Sequence, residues 1–138
     1  MKQIITACAF ICKDGKVLVG KRAKTKTFMP GSWELPGGHI ELGEDVKEGL
    51  KREMLEEFHV DVEILDPFYV FTYVDKDEHV IEVEFFAKIV DKNQKIKINA
   101  EDHSEFKWIE KDRVEELFQG NDPEKQAVLK GFEKLQIN

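Results

Sequence analysis

The chain has 138 residues, 28 acidic against 21 basic side chains and a formal net charge of −7, so a single domain spanning 1–138 is the expectation. Apolar content of 41% beside 36% charged residues fits a folded core under a wet surface and excludes the disordered and fibrous classes. No apolar run approaches a membrane span, and an acidic chain argues against broad binding to a nucleic-acid polymer.

The charge is uneven. Residues 1–36 carry seven basic and two acidic groups, whereas 37–60 and 101–118 each carry seven acidic and three basic. A basic block beside acidic blocks suggests phosphate held on one side and metal on the other. The start, MKQIITACAF, has too little charge before its apolar run to read as a signal peptide, so cytoplasmic residence is expected. Cys8 and Cys12, with no accompanying His pair, do not make a zinc site of the usual spacing and read as buried free thiols.

In chain order, Ile4–Cys12 reads as a strand, Asp14-Gly15 as a hairpin turn and Lys16–Gly20 as the returning strand. The polar stretch after it holds Lys21, Arg22, Lys24 and Lys26, either a solvated loop or a phosphate-steering one, with Arg22 the leading candidate. Phe28 covers a base or closes the core edge. Trp33 and Leu35 alternate around Glu34 in a short strand, and Pro36-Gly37-Gly38 reads as a turn. A helix follows, with Asp45 at its start and an apolar stripe of Val46, Leu50, Met54 and Phe58.

Val62–Val74 holds one or two strands interrupted by Asp66-Pro67, and Val80–Val90 returns. There Glu82 and Glu84 alternate with Val83 and Phe85, facing either solvent or a cleft. Asp91–Ala100 is a loop, Phe106–Ile109 a short strand and His103 a surface residue. Lys111–Phe118 is a short helix, and Asp122-Pro123 opens the last one as N-cap and first helical residue.

One stretch carries the chemistry: Trp33 to Val60, WELPGGHIELGEDVKEGLKREMLEEFHV. Helix neighbours lie three and four apart, so Glu53, Glu56 and Glu57 share a face. Like charges at that spacing repel by about 0.2–0.5 kcal/mol a pair. A hard cation offsets the repulsion, and magnesium takes carboxylate oxygens while keeping waters and phosphate oxygens as further ligands.

This stretch resembles the signature of the Nudix hydrolases. The matching positions run from Gly38 through Glu44, Arg52, Glu53, Met54, Glu56 and Glu57 to Val60, with Trp33-Glu34-Leu35-Pro36-Gly37 as a familiar lead-in. His59 departs, standing where the family has glycine, which should strain or alter the helix exit. The resemblance implies a Nudix α/β/α sandwich with a mixed sheet between helices. It also implies Mg2+-dependent cleavage, with Mn2+ as a substitute, of a pyrophosphate link in a nucleoside diphosphate joined to a group X.

The metal would be held by Glu53, Glu56, Glu57, the Gly37 carbonyl and a loop acid, Glu101 ahead of Glu105. Glu53 or the loop acid would serve as base, with Glu57 among the catalytic carboxylates. Arg52, expected to face roughly away from Glu56, would hold carboxylates by ion pairing. Arg22, Phe28, Glu34 and Gly38 are the substrate-side candidates. Within the family, the markers of dinucleoside-polyphosphate and ADP-ribose members are replaced here by Asp77-Glu78 and Asp75. That leaves a MutT-like nucleoside triphosphate pyrophosphohydrolase as the expectation. A nucleotide sugar, ADP-ribose, dihydroneopterin triphosphate or a non-catalytic nucleotide-binding role stay as alternatives, and monomer or homodimer is left open.

Overall fold

The computed structural model describes every residue except Asn121 and Asn138, and the backbone alone for Gln136 and Ile137. The described elements are β1 (Lys2–Lys13), β2 (Lys16–Arg22), β3 (Trp33–Glu34), β4 (Gly37–His39), α1 (Val46–Phe58), β5 (Val62–Asp75), β6 (Glu78–Ile89) and β7 (His103–Ile109). A 3₁₀ turn (Lys111–Arg113), α2 (Val114–Leu117) and α3 (Pro123–Ile137) complete the chain. Among the described residues no helix is long and apolar enough to cross a membrane.

β1 is the strand the sheet shares. Along Lys2–Ile11 it pairs in parallel with β6, Thr6–Cys8 pair antiparallel with β4, and its end turns through Asp14-Gly15 into β2. Both turn residues take positive φ, 54° and 78°, as a tight hairpin demands. β5 extends the sheet beyond β6, while β3 and β7 flank β2. One parallel pair among antiparallel ones makes the sheet mixed.

Alternation along β1 divides the core. Ala7, Ala9 and Ile11 point to one side, where Leu50, Met54 and Phe58 of α1 cover them. Cys8 and Phe10 point to the other, where Val114 and Phe118 around α2 and Ala127, Val128 and Phe132 of α3 close the layer. Strands buried on both faces between helices are the α/β/α sandwich. The period-four stripe thus does what its spacing promised, with Leu50, Met54 and Phe58 fully buried. Phe10 forms the hub of the second layer, edge-on to Phe68, Phe86 and Phe132 at 5.2–5.8 Å.

Several local readings change. Asp66-Pro67 does not break the strand; β5 runs continuously and absorbs the proline in register shifts between Ile64 and Tyr69, as bulges allow. Gly37 and Gly38 lie in strand β4, not a turn, and neither is among the positive-φ glycines. Close approach is their reason: a Cβ on Gly37 would come within 2.1 Å of the Ala7 carbonyl oxygen.

α1 begins with Asp45 accepting from the Glu48 N–H and ends at His59 in the left-handed region, φ 55°. That conformation costs a side-chain-bearing residue about 1–2 kcal/mol. The His59 Nδ1 lies 2.5 Å from the Lys97 carbonyl oxygen, a contact no glycine could make.

Phe10→Ala should cost about 3–5 kcal/mol, read as a lowered urea midpoint; a loss below about 1 kcal/mol would contradict the hub role.

Candidate active site

α1 presents its carboxylates unequally. Glu53 and Glu57 are each 13% exposed and wall a cavity, whereas Glu56 is 57% exposed and stands outside the lining. Glu57 is crowded by Glu53, Asp102 and Glu34. Burial first, then the contact with Glu53 and the neighbouring charges, push its carboxyl up to about 10. Gly38 faces them from β4, and a Cβ there would sit 2.4 Å from the Glu53 carboxyl carbon, so only glycine leaves that carboxylate its place.

Arg52 binds the cluster from outside. Its Nε and Nη2 donate to the two Glu44 oxygens at 2.8 and 3.0 Å, and Nη1 reaches Glu53 and Glu56, each at 3.2 Å. The expectation that Arg52 faces away from Glu56 is therefore corrected: at i and i+4 the two side chains meet. The paired guanidinium holds the Glu44 carboxyl down to about 2. Gly49 lets Glu44 come close, since a Cβ there would stand 2.7 Å from its Oε1.

The loop before β7 is tied to the end of α1, with Asn99 N–H donating to the Glu57 carbonyl and Lys97 N–H to that of Phe58. This turns Asp102 and His103 toward Glu57. Glu101 is exposed and Glu105 pairs with Lys21 across the β2–β7 ladder at 3.8 Å; neither lines the cavity. Asp102 lines it and pairs with Lys26 at 2.8 Å.

His103 is not a surface residue. It is 1% exposed, with Nε2 3.0 Å from Glu34 and Nδ1 3.6 Å from Glu57, and its ring lies against Phe58 at 4.9 Å. Nδ1 has no hydrogen-bond partner. Gly20 makes room for the ring, since a Cβ there would meet it at 2.7 Å. The β2–β7 register slips between Lys21 and Arg22, bringing Arg22 opposite His103, a slip that the residue pattern does not announce.

The cavity, about 1040 Å³, continues past Gly37, Gly38 and Glu34 to Phe28, Phe71 and Tyr73. Phe28 stacks on Tyr73 at 5.8 Å. Arg22 lines the cavity but donates to the Phe28 carbonyl (2.8 Å) and pairs with Glu34 (3.3 Å).

At the same end lie Cys8, Glu82, Glu84 and Glu124, whose donor atoms fall within 4.8 Å of one another, a cluster that could coordinate a divalent cation. Glu82 and Glu84 are therefore not solvent-facing: both are buried on the α3 side. Burial raises both, Glu82 to about 9 and Glu84 to about 8, with the Glu84 charge adding to the rise of Glu82 and the Glu124 charge to that of Glu84.

The NUDIX domain matches residues 1–131. The chain belongs to the NUDIX family. It is 30% identical over 118 residues, covering 79% of this chain and 83% of the relative, to the nucleoside triphosphatase NudI of Escherichia coli O139:H28. The same figures hold for the NudI of Shigella flexneri. Among solved structures, the MutT protein of Methanosarcina mazei Go1 superposes with a TM-score of 0.82 at 22% identity, over 99% of this chain and 96% of that one. An ADP-ribose pyrophosphatase of Streptococcus suis 89-1591 gives 0.72 at 18% identity, over 96% and 92%. These last two likenesses establish the fold.

Toward α1 the cavity wall is acidic, with Glu53, Glu57, Asp102 and Glu34 all lining it. These four bring carboxylate charge to one part of the wall, His103 stands between Glu34 and Glu57, and the glycine of β4 keeps the space beside Glu53 clear. Without metal, Glu57, Glu82 and Glu84 hold protons that the unfolded chain releases near its ordinary carboxylate value of 4.5. Their folded values lie above the unfolded one. Stability is therefore greatest below about pH 4.5 for these groups and falls as pH rises toward 8–10, by at most about 1.4 kcal/mol per pH unit for each. In chelator, the urea midpoint should drop between about pH 5 and pH 8, and Glu82→Gln should flatten part of the slope; a level profile would contradict these buried protons.

Proposed function

We propose that the chain is a Mg2+-dependent nucleotide pyrophosphohydrolase, with Mn2+ able to substitute. Its substrate is a nucleoside diphosphate linked to a group X, in the first place a nucleoside triphosphate cleaved to the monophosphate and pyrophosphate. The observation that supports this reading is the lining of this cavity: the α1 carboxylates Glu53 and Glu57 on one part of its wall and the stacked rings of Phe28 and Tyr73 on another. A nucleotide has two matching parts, a multiply charged phosphate chain and a flat base. The NudI relatives, named nucleoside triphosphatases, support the triphosphate within that class.

In this reading Glu53, Glu56, Glu57 and the Gly37 carbonyl hold the cation, and Asp102 takes the loop-acid place in preference to Glu101 and Glu105. When bound, the cation neutralises charge on the phosphoryl oxygens and acidifies the water it holds. Arg52 fixes Glu53 and Glu56 so that their oxygens do not swing into one another. Glu53 or Asp102 accepts the proton of the attacking water, since both stand at the cavity wall beside Glu57. His103 keeps Glu34 and Glu57 in register. Arg22 and Lys26, both on the cavity, turn from Glu34 and Asp102 toward the phosphates. Phe28 and Tyr73 stack against the base. Positioning and charge neutralisation are what phosphoryl transfer chiefly requires of a protein.

The reading is tested by incubating the protein with Mg2+ and a panel of nucleoside triphosphates, nucleotide sugars, ADP-ribose, dihydroneopterin triphosphate and dinucleotides, while following phosphate and pyrophosphate. Turnover with pyrophosphate release from a triphosphate is expected, and no turnover of any member would overturn the reading. Glu57→Gln and Glu56→Gln should each lower kcat by orders of magnitude; unchanged rates would remove these residues from the site. Gly38→Ala should fold, yet lose activity about as severely, because its methyl group takes the Glu53 carboxylate's space.

A further inference from the structure

The sheet carries a second group of donors on the face away from α1. The parallel register of β1 and β6 sets Thr6 beside Glu82 and Cys8 beside Glu84. Residues two apart on a strand share a face, so these four side chains form a block under the first turn of α3, where Glu124 closes over it. Ala7 and Ala9, the neighbours of Cys8, point to α1 instead. The block therefore differs from the Glu53–Glu57 site in elements and in sheet face, though Cys8, Glu82 and Glu124 open on the same cavity.

The block is unbalanced. Glu84 is 0% exposed and has only another buried acid, Glu82, as its neighbouring partner; no amide, hydroxyl or cationic donor reaches its oxygens, and Thr6 Oγ1, 9% exposed, is unsatisfied too. Buried polar groups are almost always satisfied, and exceptions call for an absent partner such as an ion. The buried cation at hand does not serve: Lys125 Nζ is held by Glu115 at 2.6 Å and by the Gly120 carbonyl at 2.9 Å.

The donors also converge. Cys8 Sγ lies 3.6 Å from Glu82 Oε2, close to the separation of roughly 3.5 Å spanned by a sulfur and an oxygen on one tetrahedral zinc ion. The four donor atoms all lie within 4.8 Å of one another, close enough to share one ion. A thiol among them favours a borderline-soft metal over magnesium.

We propose that Cys8, Glu82, Glu84 and Glu124 form a second metal site, selective for Zn2+ or a similar transition-metal ion, at the aromatic end of the cavity. The Cys8 thiol and the carboxylic acids give up their protons to solvent as the ion enters. The zinc-finger spacing that the two cysteines lack is not needed, because the fold supplies carboxylates from β6 and α3.

The test is a titration of the metal-free full chain with Co2+ alone, followed by optical absorbance. One equivalent should produce the intense near-ultraviolet band of a thiolate bound to cobalt, which carboxylate sites cannot give. Zn2+ should bleach it. Cys8→Ser should abolish the band, Cys12→Ser and Glu56→Gln should leave it, and Glu84→Gln should weaken Co2+ binding at least tenfold. Absence of the band, or its survival in Cys8→Ser, overturns the proposal. Should Cys8→Ser fail to fold, Glu124→Gln at the half-buried helix start decides: tenfold weaker Co2+ binding supports the site, and unchanged binding overturns it. Loss of hydrolysis in Glu56→Gln with the band intact would separate this site from the catalytic one.

Discussion

The crowding of Glu57 by Glu53, Asp102 and Glu34 is the constraint to which the neighbouring structure answers. Four carboxyl groups gathered at one cavity wall are unfavourable unless a proton or a cation sits among them. The fold supplies what holds them there. The Leu50–Met54–Phe58 stripe pins α1 to the sheet, Arg52 braces Glu44, Glu53 and Glu56 from outside, and His103 stands between Glu34 and Glu57. Gly38 withholds the one methyl group that would push Glu53 aside.

This arrangement links stability to function. A buried carboxyl that keeps its proton is an acid waiting for a cation, and exchanging one for the other makes metal affinity depend on pH. The same logic recurs at Glu82 and Glu84, on the opposite face. The cavity thus has an acidic group toward α1, with His103 among its carboxylates, and another where β1 adds a thiol. The aromatic rings of Phe28, Phe71 and Tyr73 lie toward the second.

Much of this was legible in the residues. The stripe of α1 followed from its period, and helix geometry grouped Glu53, Glu56 and Glu57 on one face, of which Glu53 and Glu57 line the cavity and Glu56 stands outside it. The α/β/α sandwich came through resemblance, because the pattern from Gly38 to Val60 contains enough fixed positions to identify it. Tertiary arrangement hid the rest. Alternation on β6 placed Glu82 and Glu84 together but could not say that α3 would cover them. Asp102 rather than Glu101 meets Glu57 because Asn99 and Lys97 are bonded to the end of α1, and a one-residue difference in a loop has no period to betray it. His103 was concealed by the slip in the β2–β7 ladder. Gly37 and Gly38, read as a turn, lie in a strand, where Gly37 is needed against β1 and Gly38 against the Glu53 carboxylate.

The most direct measurement of the central claim is the count of protons released when Mg2+ binds, from calorimetry in two buffers of different ionisation enthalpy at neutral pH. Close to one proton per bound ion is expected, falling to near zero in Glu57→Gln. Binding with no proton release in the unsubstituted protein would contradict the account of Glu57 as the carboxyl that exchanges its proton for the cation.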